Sequence, residues 1–172
     1  MSENIPGQAH PQTPHKDERI FQLHRIYIKD LSFESPKSPQ IFLGEWQPKH
    51  ELSLNTQVKR IDDLTFEVVL TVTVTTHIGD QTAFIVEVHQ AGLVGVKGFA
   101  ETDLGPLLGA YCPNLLFPYA REAISDLVAK GSFPQLLLQP VNFEVLYAQR
   151  QRQMMEEMQK QGGTTPPSSA IN

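Results

Sequence analysis

Between Leu64 and Ile78 apolar and polar side chains alternate with few exceptions. Leu64, Phe66, Val68, Leu70, Val72, Val74 and Ile78 take even positions, while Thr65, Glu67, Thr71, Thr73, Thr75 and His77 take odd ones. Successive side chains of a strand point to opposite faces, so this segment is expected to be a long strand with one face buried and one wet. Gly79-Asp80 turns the chain, and Thr82 to Gln90 returns as a hairpin partner with Phe84, Val86 and Val88 even and Ile85, Glu87 and His89 odd. A two-residue loop pairs Ile78 with Gln81 and mixes the faces. A three-residue loop, Gly79-Asp80-Gln81, pairs Ile78 with Thr82 and keeps the even residues together. That register sets Thr71, Thr73, Thr75, Ile85, Glu87 and His89 on the outer face, with Ile85 the apolar exception, and it places His89 opposite Thr71.

Two more strands precede the hairpin. Phe21 and Leu23 are odd, Ile26 and Ile28 even, Leu31 and Phe33 odd again. Each change of phase within a strand predicts a bulge or twist. The end of this strand shows Asp30, Ser32 and Glu34 on one face. Ser35-Pro36-Lys37-Ser38-Pro39 is a loop, followed by a connection bearing Ile41, Phe42, Leu43 and Trp46. Alternation resumes at Glu51–Asn55, and Asp62-Asp63 marks a turn.

After the hairpin the period changes. Gly92, Gly95 and Gly98 read as loop or bulge glycines. Leu116, Tyr119, Ala120, Ala123, Ile124, Leu127 and Val128 recur at helical spacing, with a bend expected at Pro118 and a stop at Gly131. Asn142 is placed to cap a second helix carrying a thin stripe of Phe143, Leu146, Tyr147, Met154, Met155 and Met158. Strands followed by helices define an α+β fold: a four-stranded antiparallel sheet and then two helices. The ordered domain is expected at 19–158, between disordered tails at 1–18 and 159–172 that are rich in Pro, Gln, Gly and Ser.

That sheet leaves apolar surface over in Leu107, Leu108, Leu115, Leu116, Phe117 and Leu136-Leu137-Leu138. Self-association would cover it, because each exposed Leu or Phe forfeits roughly 1.5–3 kcal/mol. The chain of 172 residues has a formal net charge of −5, six histidines and one cysteine. The acidic balance argues against nucleic acid and against anionic membranes. A lone cysteine gives no disulfide framework and fits a reducing compartment. The start of the chain lacks the basic-then-apolar pattern of a secretory signal, and no uncharged run is long enough to span a bilayer, so a cytoplasmic location is expected.

No catalytic or metal-binding pattern emerges. His77 and His89 share a face but lie about 20 Å apart in the expected register. Asp30 and Glu34 are about 13 Å apart, beyond the roughly 5–9.5 Å of glycosidase carboxylate pairs. Two readings stay open for them: an acidic surface shared with Glu87 on a neighbouring strand, or an ordinary solvated sheet face. Cys112 has no His or Lys beside it in sequence and reads as a buried thiol. No cofactor is expected. Trp46 on its connection and the methionines of the second helix fit either an adaptable apolar surface or ordinary packing of that loop onto the helix.

Phe21-Gln22-Leu23-His24-Arg25-Ile26-Tyr27-Ile28-Lys29-Asp30-Leu31-Ser32-Phe33-Glu34 resembles the first strand of the SecB family of export chaperones. Gly109-Ala110-Tyr111-Cys112-Pro113-Asn114-Leu115-Leu116-Phe117-Pro118-Tyr119-Ala120-Arg121-Glu122 resembles its helix signature. Gly131-Ser132-Phe133-Pro134-Gln135-Leu136 and Pro140-Val141-Asn142-Phe143 match the connection that follows. The resemblance spans about 20–147. It implies an ATP-independent cytoplasmic chaperone, not an enzyme, that keeps unfolded precursor polypeptides competent for export and delivers them to the SecA translocation ATPase. It further implies a homotetramer, a dimer of dimers, with helices between two eight-stranded sheets. SecA binding falls on Asp30, Glu34, Ile85 and Glu87, and the tetramer contact on Val86, Val88 and Gln90. The client groove falls on Phe42, Trp46, Tyr147 and Met154. Two alternatives remain: a SecB-like chaperone serving another partner, such as a toxin–antitoxin pair, and a small-ligand or hydrolytic enzyme built on the sheet.

Overall fold

The alternating segment forms β3 (Thr65–Ile78), the interior of a four-stranded antiparallel sheet that also contains β1 (Ile20–Glu34), β2 (Pro48–Arg60) and β4 (Gln81–Lys97). The strand order is β1-β4-β3-β2. The structure, a computed structural model, describes residues 18–162, so the expected tails lie almost wholly outside the described residues. Even residues of the hairpin fill the core: Val68, Leu70, Val72, Val74, Phe84, Val86 and Val88 are fully buried.

The hairpin turn differs from the expectation. Gly79-Asp80 is a two-residue turn, Ile78 faces Gln81, and Gly79 adopts a left-handed φ of 56° that tight hairpins require. Parity is restored by a register shift between Thr76 and His77, which pair with Phe84 and Thr82. From Thr76 onward the pairing is the expected one, with Thr71 opposite His89. A longer loop and a tight turn plus a bulge are equivalent in parity; the tight turn matches the twist of the strands.

β4 does not end at Gln90. It continues to Lys97 and pairs with β1 from Ile85 to Lys97, so Gly92 and Gly95 are strand residues and not loop residues. β2 likewise extends well beyond Glu51–Asn55. The phase changes of β1 correspond to register shifts at Leu23/Arg25 and Ile28/Asp30.

The helical region begins earlier than its apolar spacing indicates. α1 (Glu101–Pro106) leads through a π turn (Leu107–Tyr111) into α2 (Cys112–Lys130), and α3 (Phe143–Gly162) follows. Pro113 has no N–H to give Gly109, so a widened turn lies where an α-helical bond is missing. α2 runs on through Pro118, with the exposed Asn114 four residues back. Gly109 has a steric reason: a Cβ there would stand 2.6 Å from the Tyr147 ring of α3. Asn142 caps α3, its Oδ1 accepting from the Val145 N–H at 3.1 Å. α2 stops as expected, but the left-handed residue is Ser132 (φ 65°), not Gly131. The Phe133 N–H then bonds the Val128 carbonyl at 3.2 Å and the Phe133 ring turns back into the core.

α2 packs on β4 and β3 over the even face. Leu108, Leu116 and Phe117 of the expected apolar surplus are buried there, while Leu137 is 66% exposed. Ile28 and Leu31 are exposed beside Leu137, along a groove of about 940 Å³ between edge strand β1 and α2.

Candidate functional site

Three rows cross the outer face of the sheet. Asp30 faces His89, which faces Thr71; Ser32 faces Glu87, which faces Thr73; Glu34 faces Ile85, which faces Thr75 and then Glu51. The sheet therefore brings Asp30, Glu34, Ile85 and Glu87 together, with Glu87 diagonal to each of the other two carboxylates at about 7–8 Å between Cα atoms. Ile85 is a half-buried apolar centre among acids. Glu87 is held from both sides: His89 Nε2 lies 2.8 Å from Oε1, and Thr73 Oγ1 donates to Oε2 at 2.7 Å. The hydrogen bond from His89, then that from Thr73, hold the Glu87 carboxyl below its ordinary range.

The other half of this face carries a buried carboxylate. Glu67, although at an odd position of β3, is 9% exposed. Lys29 Nζ donates to its Oε2 at 2.7 Å and the Tyr27 hydroxyl donates to Oε1. These bonds, Lys29's first, keep Glu67 below the usual carboxylate range. In turn, the hydrogen bond to Glu67, with some help from burial, pushes the Tyr27 phenol up to about 12. A phenol whose folded pKa is raised contributes stability that is complete below about pH 10 and is lost as pH rises through about 12. Tyr27→Phe is therefore expected to remove tyrosinate absorbance gained near pH 12. Loss of a phenol titrating near pH 10 would contradict the Tyr27–Glu67 bond.

The four expected groove residues do not share one place. Phe42 and Trp46 pack on Phe133, with ring centroids 5.0 and 5.5 Å away. Phe133 also meets Phe84 at 4.9 Å and Phe33 at 6.3 Å. Tyr147 instead lines a groove of about 840 Å³ with Leu52, Leu54 and Val58 of β2, Leu104 and Leu108. α3 packs on the π turn and is tied to β2 by Arg150 donating to Asn55 at 2.8 Å. The inner side of β2 stays uncovered, with Leu52 44% and Val58 45% exposed. Met154 is exposed on α3 and lies outside the lining of this groove. Phe133 and the β2 residues are the additions here; the even parity of Leu52 and Leu54 was the available signal for the latter.

Val86 and Val88 are fully buried within the chain and Gln90 is 2% exposed. Within one chain the helical layer over the even face covers Val86 and Val88. Gln90 donates to the Tyr27 carbonyl at 2.9 Å. Its Oε1, like Ser125 Oγ, has no partner among the described residues, and both side chains line the β1–α2 groove.

Cys112 is buried, which pushes its thiol up to about 12 and leaves it inert. Among the described residues no group of three His, Cys, Asp or Glu is placed to hold a metal, and no helix is long and apolar enough to cross a membrane.

An open apolar groove inside a sheet whose outer face is acidic defines a binding protein that takes hold of other chains. Residues 14–154 match the family profile described as preprotein translocase subunit SecB. The protein-export protein SecB of Nitrosococcus oceani is 58% identical over 89% of this chain and 93% of its own length. That of Methylococcus capsulatus is 49% identical over 83% and 92%. A SecB-like chaperone of Mycobacterium tuberculosis, solved in complex with a peptide from an antitoxin, shares the fold with a TM-score of 0.59 at 19% identity, covering 70% of this chain and 90% of its own. This chain belongs to the SecB family, a family of chaperones in protein export.

Proposed function

We propose that the protein holds unfolded precursor polypeptides in the cytoplasm, without ATP or catalysis, and hands them to the SecA motor. The observation that carries this reading is the uncovered β2–α3 groove. It is apolar along its floor and ringed by Gln149, Arg150 and Gln153, so an extended segment gains burial without any demand on its sequence. The aromatic group around Phe133 lies beside the connection that leads into β2 and offers a second apolar anchor. Folded proteins present no such segment and escape capture.

The acidic outer face, with Asp30, Glu34 and Glu87 around Ile85, suits a basic partner site with an apolar contact at its centre. SecA is assigned to it. The domain at 19–158 is the unit that carries both surfaces. Assembly into a dimer of dimers is supported by the unpaired edge of β1, by Ile28, Leu31 and Leu137 beside it, and by the unpartnered Gln90 and Ser125 atoms. Several grooves on one particle then engage one client with avidity.

Light scattering tests this reading. The expected mass is four times the 19.3 kDa of one chain, rising when an unfolded polypeptide is added. A single-chain mass at micromolar concentration, unchanged by the polypeptide, would refute it.

A further inference from the structure

Lys29 occupies the point where β1 changes phase. Ile28 pairs with Gln90 and Asp30 pairs with His89, so β1 takes two steps where β4 takes one. Lys29 is the extra residue of this bulge. Asp30, Ser32 and Glu34 stand on the outer face only because the bulge is there. Continued without it, the earlier register sets Asp30 against the fully buried Val88 and Glu34 against the fully buried Phe84.

The inner apolar residues Leu31 and Phe33 demand a bulge somewhere, but they do not fix where it falls. If it moved by one residue, Lys29 would stand opposite His89 and Asp30 would become the extra residue. A lysine would then replace a carboxylate on the partner face. Glu67 opposes that shift. It lies on β3, across β4 from β1, and draws Lys29 and Tyr27 over Ala91, which is fully buried on this outer side. The Lys29 ammonium is engaged there and is drawn away from His89.

We propose that Glu67 is a positioning residue of the outer partner face: through Lys29 and Tyr27 it fixes the bulge, and so decides that Asp30, and not Lys29, faces His89. This rests on the reading of that face as the SecA site. Glu67 itself lies outside the Asp30–Glu34–Ile85–Glu87 group, and no partner need touch it.

The test measures SecA affinity, capture of an unfolded precursor and amide hydrogen exchange in full-length variants. Glu67→Gln is expected to weaken SecA binding about tenfold, the scale of one lost charged contact at an interface. Client capture should be unchanged, and amides from Lys29 to Ser32 should exchange faster. In an Asp30→Asn background the same substitution should cost less SecA affinity than it does alone, because the part of its effect that passes through Asp30 is already gone. If Glu67→Gln fails to fold, Lys29→Met breaks the same bond from its exposed end. Undiminished SecA affinity in these variants, with Glu87→Lys still abolishing it, would overturn the positioning role and leave the face intact. An additive loss with Asp30→Asn would also overturn it. If Glu87→Lys has no effect, the SecA reading falls, and unchanged exchange from Lys29 to Ser32 in Glu67→Gln would dispose of the bulge lock as well.

Discussion

Glu87→Lys is expected to lower affinity for SecA by about a hundredfold or more, while capture of unfolded polypeptides stays as it was. Glu87 is the middle carboxylate of the acidic rows and is diagonal to both Asp30 and Glu34. Its carboxylate is pinned by Thr73 and His89, so its charge is presented in one fixed place. Losing one partner of a charge pair that binding buries at an interface costs about 2–5 kcal/mol, and reversal adds repulsion to that loss. The inner grooves lie on the opposite side of the sheet, so they are spared. Titration calorimetry with SecA and, separately, with an unfolded precursor checks both halves. Loss of both bindings together would mean that the substitution acts through the fold.

Phe133→Ala has the largest expected effect on stability, a loss of about 3–5 kcal/mol. The ring is 6% exposed and meets Phe33 of β1, Phe84 of β4, and Phe42 and Trp46 of the long connection. Its removal leaves four rings from three elements around a hole. Against a total stability of about 5–15 kcal/mol this is a large fraction. Phe42→Ala is the contrasting variant. Phe42 is 45% exposed, so its loss should cost far less stability and still weaken client capture. Urea midpoints and a capture assay on the two variants separate these contributions. Equal midpoints would contradict the central place given to Phe133.

Strand parity was readable because a period of two survives twist, and because a one-residue slip would bury charge. The outer rows therefore follow from odd and even numbering, and the two phase changes in β1 announced their bulges at Leu23/Arg25 and Ile28/Asp30. The hairpin turn was misread because parity does not distinguish a longer loop from a tight turn followed by a bulge. The helical run from Glu101 to Tyr111 was hidden by Gly105, Pro106 and Gly109, residues that usually end helices but are here accommodated by a π turn and the Tyr147 ring. Phe133 had no local signal. It sits in a short connection and draws its partners from segments far away in sequence, which a pattern within a window of residues does not register. Strand parity by itself puts Glu67 on the solvent face; only the pairing of β1 beside β4 places Tyr27 and Lys29 within reach of it. Val86, Val88 and Gln90 were assigned correctly to the inner face, but parity carries no information about which helix covers that face.

The measurement that tests the central claim most directly is the refolding of a denatured precursor in the presence of this protein, without nucleotide. The apolar groove of β2 and α3 is expected to hold the unfolded chain and slow its return to the native state in proportion to the amount of chaperone added, with Leu52→Glu in the groove abolishing the delay. Refolding at the same rate with and without the protein would contradict the account.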